Sequence, residues 1–256
     1  MRLYAFFAGY EIADKSMLTL GRGLGVQVKI PFQFFLVEHP KARFLFDTGM
    51  NPAALSDPAH YPPTAQFGSY VTEADLAVNR LAEVALKPDD IELVINSHLH
   101  YDHAGGNCQF PQATFMVQYD EMQSAMCPEP WSGLVAENYA RVDFDLPVRY
   151  DLLDGDYDVF GDGSARLIRT PGHTRGHQSL VLRLPNTGTM ILAQDAVYLL
   201  ENFERHILAT TCFDQKAMYF SYRRLQDIQR LENALILPGH DIQAWEKLRH
   251  APAYYD

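Results

Sequence analysis

One stretch constrains this chain more than any other. Ser97-His98-Leu99-His100-Tyr101-Asp102-His103-Ala104-Gly105-Gly106-Asn107 sets four metal-competent side chains within six residues. It follows directly on Ile91–Ile95, an apolar run that reads as a buried strand. In an extended or turning loop His98, His100 and Asp102 alternate and point the same way, while His103 points elsewhere and reaches a second position. Such spacing suits two metals a few ångströms apart, each with imidazole ligands at about 2.0–2.1 Å. Packing alone explains the cluster poorly, because burying three histidines and an aspartate without partners is costly. Gly105 and Gly106 let the backbone pass close beside the site.

Further ligand types stand where strands end. Thr170-Pro171-Gly172-His173 follows the strand Arg166–Ile168, Gln194-Asp195 closes Met190–Ala193, and Pro238-Gly239-His240 closes Ala234–Leu237. Placed at strand C-termini, these side chains converge at one sheet edge. His98, His100, His103, His173 and His240 offer neutral donors, and Asp102 and Asp195 offer charge compensation and a bridge.

The rest of the chain is mixed α and β. Leu3–Tyr10 reads as a first strand. Val26, Val28 and Ile30 alternate with polar neighbours ahead of apolar Phe34–Val37, and Arg43–Phe46 closes on Asp47-Thr48-Gly49, so this region predicts strands ending in a turn. Residues 72–86 predict one helix, capped by Thr72 and striped by Ala74, Ala77/Val78, Leu81 and Ala85. Thr114–Val117 and Ser179–Leu184 add strands, and Asp214–Leu231 and Ile242–Leu248 add helices. Clustered strands with helices between and after them indicate a layered α/β or α+β domain. Asp57–Tyr70, rich in proline and aromatics, is a long loop of the kind that lies over a site or on the surface. No repeat or Gly/Ser linker divides the 256 residues, so 1–256 is read as a single domain.

Composition excludes several functions. Lys and Arg total 21 against 32 Asp and Glu, a formal net charge of −11 that argues against a nucleic-acid binder. Apolar runs such as Phe34–Val37 are too short to cross a bilayer, so no membrane partner is expected. Three scattered cysteines and an N-terminus without a cleavage site point to a reduced, cytoplasmic protein.

The order H-x-H-x-D-H-x-G-G, then T-P-G-H-T, a strand-terminal Asp and a late G-H-D, resembles the metallo-β-lactamase superfamily over nearly the whole chain. The likeness is greatest to its N-acyl-homoserine lactonase branch. Asp195-Ala196-Val197-Tyr198 is similar to that branch's D-A-x-Y, and Thr170–Leu180 and the ending Gly239-His240-Asp241…Tyr254-Tyr255-Asp256 also look like it. Arg175 departs from the proline common at its position, which bears on the pocket rim rather than the metals. The resemblance implies a four-layer αββα sandwich with a dinuclear centre. His98, His100 and His173 would hold one metal, Asp102, His103 and His240 the other, and Asp195 would bridge both together with a hydroxide. Two Zn²⁺ per chain are the expected cofactors, with Fe²⁺, Mn²⁺ or Co²⁺ compatible with the same donors. The expected reaction is opening of a small-molecule lactone, with Tyr198 hydrogen-bonding the oxyanion and Asp102 shuttling a proton to the leaving alkoxide. A homodimer is the expected assembly.

Relatives separate on residues. A diiron flavoprotein would have Glu at His100, a secreted β-lactamase would lack the bridging Asp, and a tRNA-processing nuclease would need basic surface. Glyoxalase II shares the ligand set, but it carries its cluster nearer the N-terminus and adds a thioester-binding segment after the last ligand. Here the cluster begins at residue 98 and 16 residues follow His240. A hydrolase for another small lactone and a non-catalytic, metal-stabilised binding module are the other readings, the latter opposed by the complete ligand set.

Around the cluster, Asp47 is expected to orient a ligand histidine, and Asp241 to do the same or cap the following helix. His177 is expected to support the site or cap a strand, and Tyr101 to form pocket wall. His39, His60, His206 and His250 default to the surface. Met17, Leu18, Leu20, Tyr61, Phe67 and Tyr70 are the apolar candidates for holding an acyl chain, ordinary loop packing being the alternative.

Overall fold

Side chains along a strand alternate between faces, and most long strands of this chain are apolar on both. The structure, a computed structural model, describes residues 1–57 and 69–256. Its elements run β1 (Arg2–Asp14), α1 (Lys15–Leu18), β2 (Gln27–His39), β3 (Ala42–Phe46), α2 (Ala77–Ala82), β4 (Leu93–Ile95), α3 (Tyr101–Ala104), β5 (Thr114–Gln118), α4 (Tyr119–Met126), α5 (Leu134–Glu137) and β6 (Arg149–Leu153). There follow β7 (Tyr157–Asp158), β8 (Ala165–Arg169), β9 (Gln178–Leu184), β10 (Gly188–Gln194), α6 (Leu200–Arg205), α7 (Gln215–Glu232), β11 (Leu235–Pro238) and α8 (Ile242–Trp245). One sheet has the order β1-β2-β3-β4-β5-β6 and the other β11-β10-β9-β8-β7.

Alternation assigns each residue its layer. Ala5, Phe35, Phe44 and Ile95 of the first sheet meet Leu167, Leu180, Leu182 and Leu192 of the second in one buried cluster between the sheets. Their neighbours Phe6, Phe34, Leu45 and Val94 face outward and pack with Ala77 and Leu81 of α2. On the far side Val181, Ile191 and Ala193 pack against Phe203 of α6 and Met218, Tyr222 and Leu225 of α7. Helix, sheet, sheet, helix is the four-layer order that the family resemblance implied. A strand apolar on both faces needs a cover on each.

Several expectations change. Val26 lies outside any strand, and the two runs from Val28 to Val37 form a single strand, β2. β2 tolerates Pro31 because β3 pairs only Phe35–His39, so among the described residues no strand adjoins Pro31 on that side. The predicted helix 72–86 is broken: a 3₁₀ turn at Glu73–Asp75 ends at extended Leu76 before α2 begins. Thr72 does mark the start, its backbone N–H and its hydroxyl both donating to the Asp75 carboxylate. The last helix stops at Trp245 rather than Leu248. Tyr61, Phe67, His60 and the middle of the loop between Asp57 and Tyr70 lie outside the described residues.

Candidate metal centre

The ligand-type residues gather where β4, β8, β10 and β11 end. The prediction that His98, His100 and Asp102 point the same way fails, because α3 begins at Tyr101 with His100 as its N-cap. The helical turn swings Asp102 away from the two histidines. His98, His100 and His173 form one buried group, and Asp102, His103 and His240 another. His98 and His103 also approach Asp195 within a third group.

Distances in both groups match cation coordination. Two donors about 2.05 Å from one tetrahedral ion stand about 3.3 Å apart. His173 Nε2 lies 3.2 Å from His98 Nε2 and 3.0 Å from His100 Nδ1. In the second group His103 Nε2 lies 3.3 Å from Asp102 Oδ2, and His240 Nε2 lies 3.6 Å from it. Asp195 divides its oxygens: Oδ2 is 3.3 Å from His173 Nε2, while Oδ1 is 3.2 Å from His103 Nε2 and 3.0 Å from His240 Nε2. His103 Nε2 and Asp195 Oδ1 are buried without a hydrogen-bond partner. An orphaned imidazole nitrogen facing an orphaned carboxylate oxygen is a donor set that fits a divalent cation.

Each imidazole is aimed by what its outer nitrogen touches. His100 Nε2 donates to the Val135 carbonyl at 3.0 Å, and His240 Nδ1 to the Pro31 carbonyl at 2.9 Å. His103 Nδ1 stands 2.9 Å from Asp47 Oδ2. Ser97 Oγ donates to Asp47 at 2.8 Å and so accepts from His98 Nδ1 at 2.9 Å. Asp47 thus performs its predicted orienting part. His173 Nδ1 faces the Thr211 carbonyl at 3.2 Å and the Tyr198 hydroxyl at 3.0 Å.

Electrostatics divide the groups. Burial, with neighbouring imidazoles, holds His98 well below its ordinary value, and burial lowers His100 to about 4 and His173 to about 3, keeping them neutral donors. Burial also opposes charge on His103 and His240, but the facing carboxylates outweigh it and raise both. Burial would raise Asp195, yet His240, His103 and His173 hold it well below the usual carboxylate range.

The centre opens on a pocket of about 70 Å³ whose walls include Tyr101, Asp102, Tyr198, Phe32 and Leu134. Met17 and Leu18, predicted acyl-chain residues, also line it. Leu20 is not among its walls, and Tyr70 stacks on Tyr10 instead. Arg175 pairs with Glu129 and covers Phe213, outside this pocket. His177 is buried; its Nδ1 lies 2.9 Å from Thr170 Oγ1, and its carbonyl accepts from Thr170 N, so it ties β8 to β9 behind His98. Asp241 caps α8, accepting from Gln243 and Ala244, and leaves His240 to Pro31. His39 is half-buried, its ring stacked on Phe160. His206 and His250 are exposed.

Two glycines permit the convergence. A Cβ on Gly106 would meet the Thr48 carbonyl oxygen at 2.2 Å, and one on Gly239 would meet Asp195 Oδ1 at 2.8 Å.

Sequence reasoning missed Glu121. Fully buried on α4, it accepts from Leu99 N at 3.0 Å, Tyr139 Oη at 2.9 Å, Thr174 Oγ1 at 2.6 Å and Gly176 N at 3.1 Å. It clamps the turn bearing His98 and His100 to the turn bearing His173. No motif marks it, since its partners lie 18 to 55 residues away.

The metallo-β-lactamase superfamily profile matches residues 33–240. An N-acyl homoserine lactonase AttM of Azorhizobium caulinodans is 32% identical over all of this chain and 99% of its own length. The N-acyl homoserine lactonase AiiA of Bacillus thuringiensis subsp. kurstaki is 33% identical over 99% of this chain and 98% of its own. A solved N-acyl homoserine lactone hydrolase, with N-hexanoyl-L-homoserine at its catalytic metal centre, has a TM-score of 0.87 at 32% identity, covering 99% of this chain and 98% of that one. Two-sheet architecture, paired ligand groups and full-length similarity agree: the chain belongs to the metallo-β-lactamase superfamily and, within it, to the N-acyl homoserine lactonases.

Proposed function

We propose that this protein hydrolyses the lactone ring of N-acyl-homoserine lactones to N-acyl-homoserines, quenching the signal such lactones carry, as a single domain over 1–256 binding two Zn²⁺. The observation that carries the reading is the division of Asp195, whose two oxygens face separate histidine groups 3.0 to 3.3 Å away. His98, His100 and His173 would hold one ion and Asp102, His103 and His240 the other, with Asp195 between the two groups. Fe²⁺, Mn²⁺ or Co²⁺ suits the same donors. A cytoplasmic location and a homodimeric assembly belong to the same reading.

Bound cations in such a nest supply a water nucleophile at neutral pH and polarisation of the lactone carbonyl. The chain does the rest. Tyr198 is buried beside the nest, and burial pushes its phenol well above the usual value, so it keeps its proton. Because His173 Nδ1 donates outward, the phenol O–H is free to donate to the oxygen on which charge grows. Asp102 borders both nest and pocket, and it passes the proton taken from water to the ring oxygen as the C–O bond breaks. Met17, Leu18 and Leu134 give the acyl chain an apolar wall. The product is an open hydroxy acid, and its ionisation releases one proton.

That proton is the readout. Zn-loaded protein given N-hexanoyl-homoserine lactone should acidify a weakly buffered indicator solution, and Asp195→Asn should not. Turnover of S-lactoylglutathione with no lactone opening would replace this reading with a thioester hydrolase.

A further inference from the structure

The pocket beside the centre has one acidic wall residue that no ligand group uses. β1 and β2 pair with Phe7 opposite Gln33 but Tyr10 opposite Pro31, so β1 carries one extra residue between them. Such a bulge reverses which side chains face which way. Before it, Leu3 and Ala5 point between the sheets while Phe6 and Ala8 point outward. After it, Glu11 and Ala13 fall on the face that carries Ile30 and Phe32, and all four line the pocket. Without the extra residue the odd-numbered Glu11 would turn toward the apolar layer between the sheets.

Tyr101 Oη donates to Glu11 Oε2 at 3.1 Å. The phenol belongs to the turn between ligand residues His100 and Asp102, so the carboxylate is tied to the centre's own loop. No lysine or arginine pairs with Glu11 among the described residues, and its second oxygen has no donor there. Six of the other walls, Ala13, Met17, Leu18, Ile30, Phe32 and Leu134, offer no hydrogen, and the described polar ones leave the second Glu11 oxygen without a donor. The free Glu11 oxygen accepts from a donor that a ligand brings, most strongly when the carboxyl is ionised. An unsubstituted N-acyl-homoserine lactone has one such donor, its amide N–H, at the junction of ring and acyl chain.

We propose that Glu11, held by Tyr101, is a specificity-determining residue that accepts the substrate's amide N–H and so selects amide-substituted lactones. The inference rests on the lactonase reading above. It assigns Glu11 no part in bond breaking.

The test compares N-hexanoyl-homoserine lactone with α-hexanoyloxy-γ-butyrolactone, which has an ester oxygen in place of the N–H. The wild-type protein should prefer the amide by about tenfold to a hundredfold in kcat/KM, the range a hydrogen bond to a charged group supports. Glu11→Leu should bring that ratio to within about threefold of one, mainly through KM, with zinc per chain unchanged. Glu11→Gln should keep part of the preference, since its amide oxygen still accepts. Should the leucine variant lose its fold or metal, Tyr101→Phe carries the test, and the ratio should fall severalfold. Calorimetry of N-hexanoyl-homoserine binding should weaken in parallel. A wild-type ratio near one, or a ratio unmoved in both variants, would overturn this inference and leave the lactonase reading standing. Wild-type protein inert toward both lactones would overturn the lactonase reading, and this inference with it.

Discussion

Asp47 Oδ2 stands 2.9 Å from Nδ1 of His103, the nitrogen turned away from the metal nest. The same carboxylate accepts from Ser97 N at 2.7 Å and Ser97 Oγ at 2.8 Å, and Ser97 in turn touches His98 Nδ1. One buried acid therefore orients a histidine in each ligand group. Its backbone is left-handed, with φ of 63°, a conformation asparagine also tolerates.

Asp47→Asn consequently keeps the turn while removing the charge opposite His103. Zinc affinity should drop about 10–100-fold, as for other residues that orient metal ligands. Competition against a chromophoric chelator measures this, and affinity unchanged within twofold would deny Asp47 the orienting role.

Glu121 joins the two turns that bear His98, His100 and His173. Glu121→Leu leaves four buried donors without an acceptor, so the expected loss is about 3–5 kcal/mol of stability. Glu121→Gln retains one acceptor oxygen and should lose less. Urea denaturation of the zinc-loaded variants provides the comparison; equal losses would show that the lost acceptors are not what matters.

Tyr198→Phe removes a hydroxyl without removing a ligand-type residue. Lactone opening should slow by roughly 10²-fold in kcat, the size seen when an oxyanion donor is deleted. Metal content by elemental analysis should stay the same. A variant with wild-type turnover would leave Tyr198 as a packed aromatic only.

Away from the site, Glu232 at the end of α7 receives Arg166 at 2.6 Å and Arg183 at 3.1 Å. Burial works to raise its carboxyl, but the hydrogen bonds from Arg183 and Arg166 outweigh this and hold it below the ordinary value. A depressed folded-state value means the contribution is present above the unfolded carboxylate range and fades as pH falls through the folded one. Glu232→Gln should therefore cost about 0.5–1 kcal/mol at pH 7, discounted for solvent screening, and progressively less below about pH 4. Denaturant melts at both ends of that range test the sign.

How much of this was legible in the sequence differs from element to element. The apolar runs at Phe34–Val37, Ser179–Leu184 and Met190–Ala193 announce strands buried on both faces, because alternation offers each residue only two directions. The His98–His103 cluster, with His173, Asp195 and His240 at strand ends, announces a metal centre, because few other environments reward that many buried imidazoles and carboxylates. The break at Leu76 was not legible, since 72–86 has helix-forming composition throughout.

What the sequence determined by itself was local chemistry: strand periodicity, residue types able to bind cations, and the family those motifs resemble. Tertiary structure sets out the two ligand-type groups that the family resemblance implied and that residue spacing does not record, because the turn at Tyr101 redirects Asp102. It also decided that Glu121 is a clamp and that Glu11 faces the pocket. The first depends on contacts up to 55 residues apart and the second on one extra residue in a strand. Spacing along a chain reports side-chain direction only while the backbone stays regular, and here a helical turn and a bulge interrupt it.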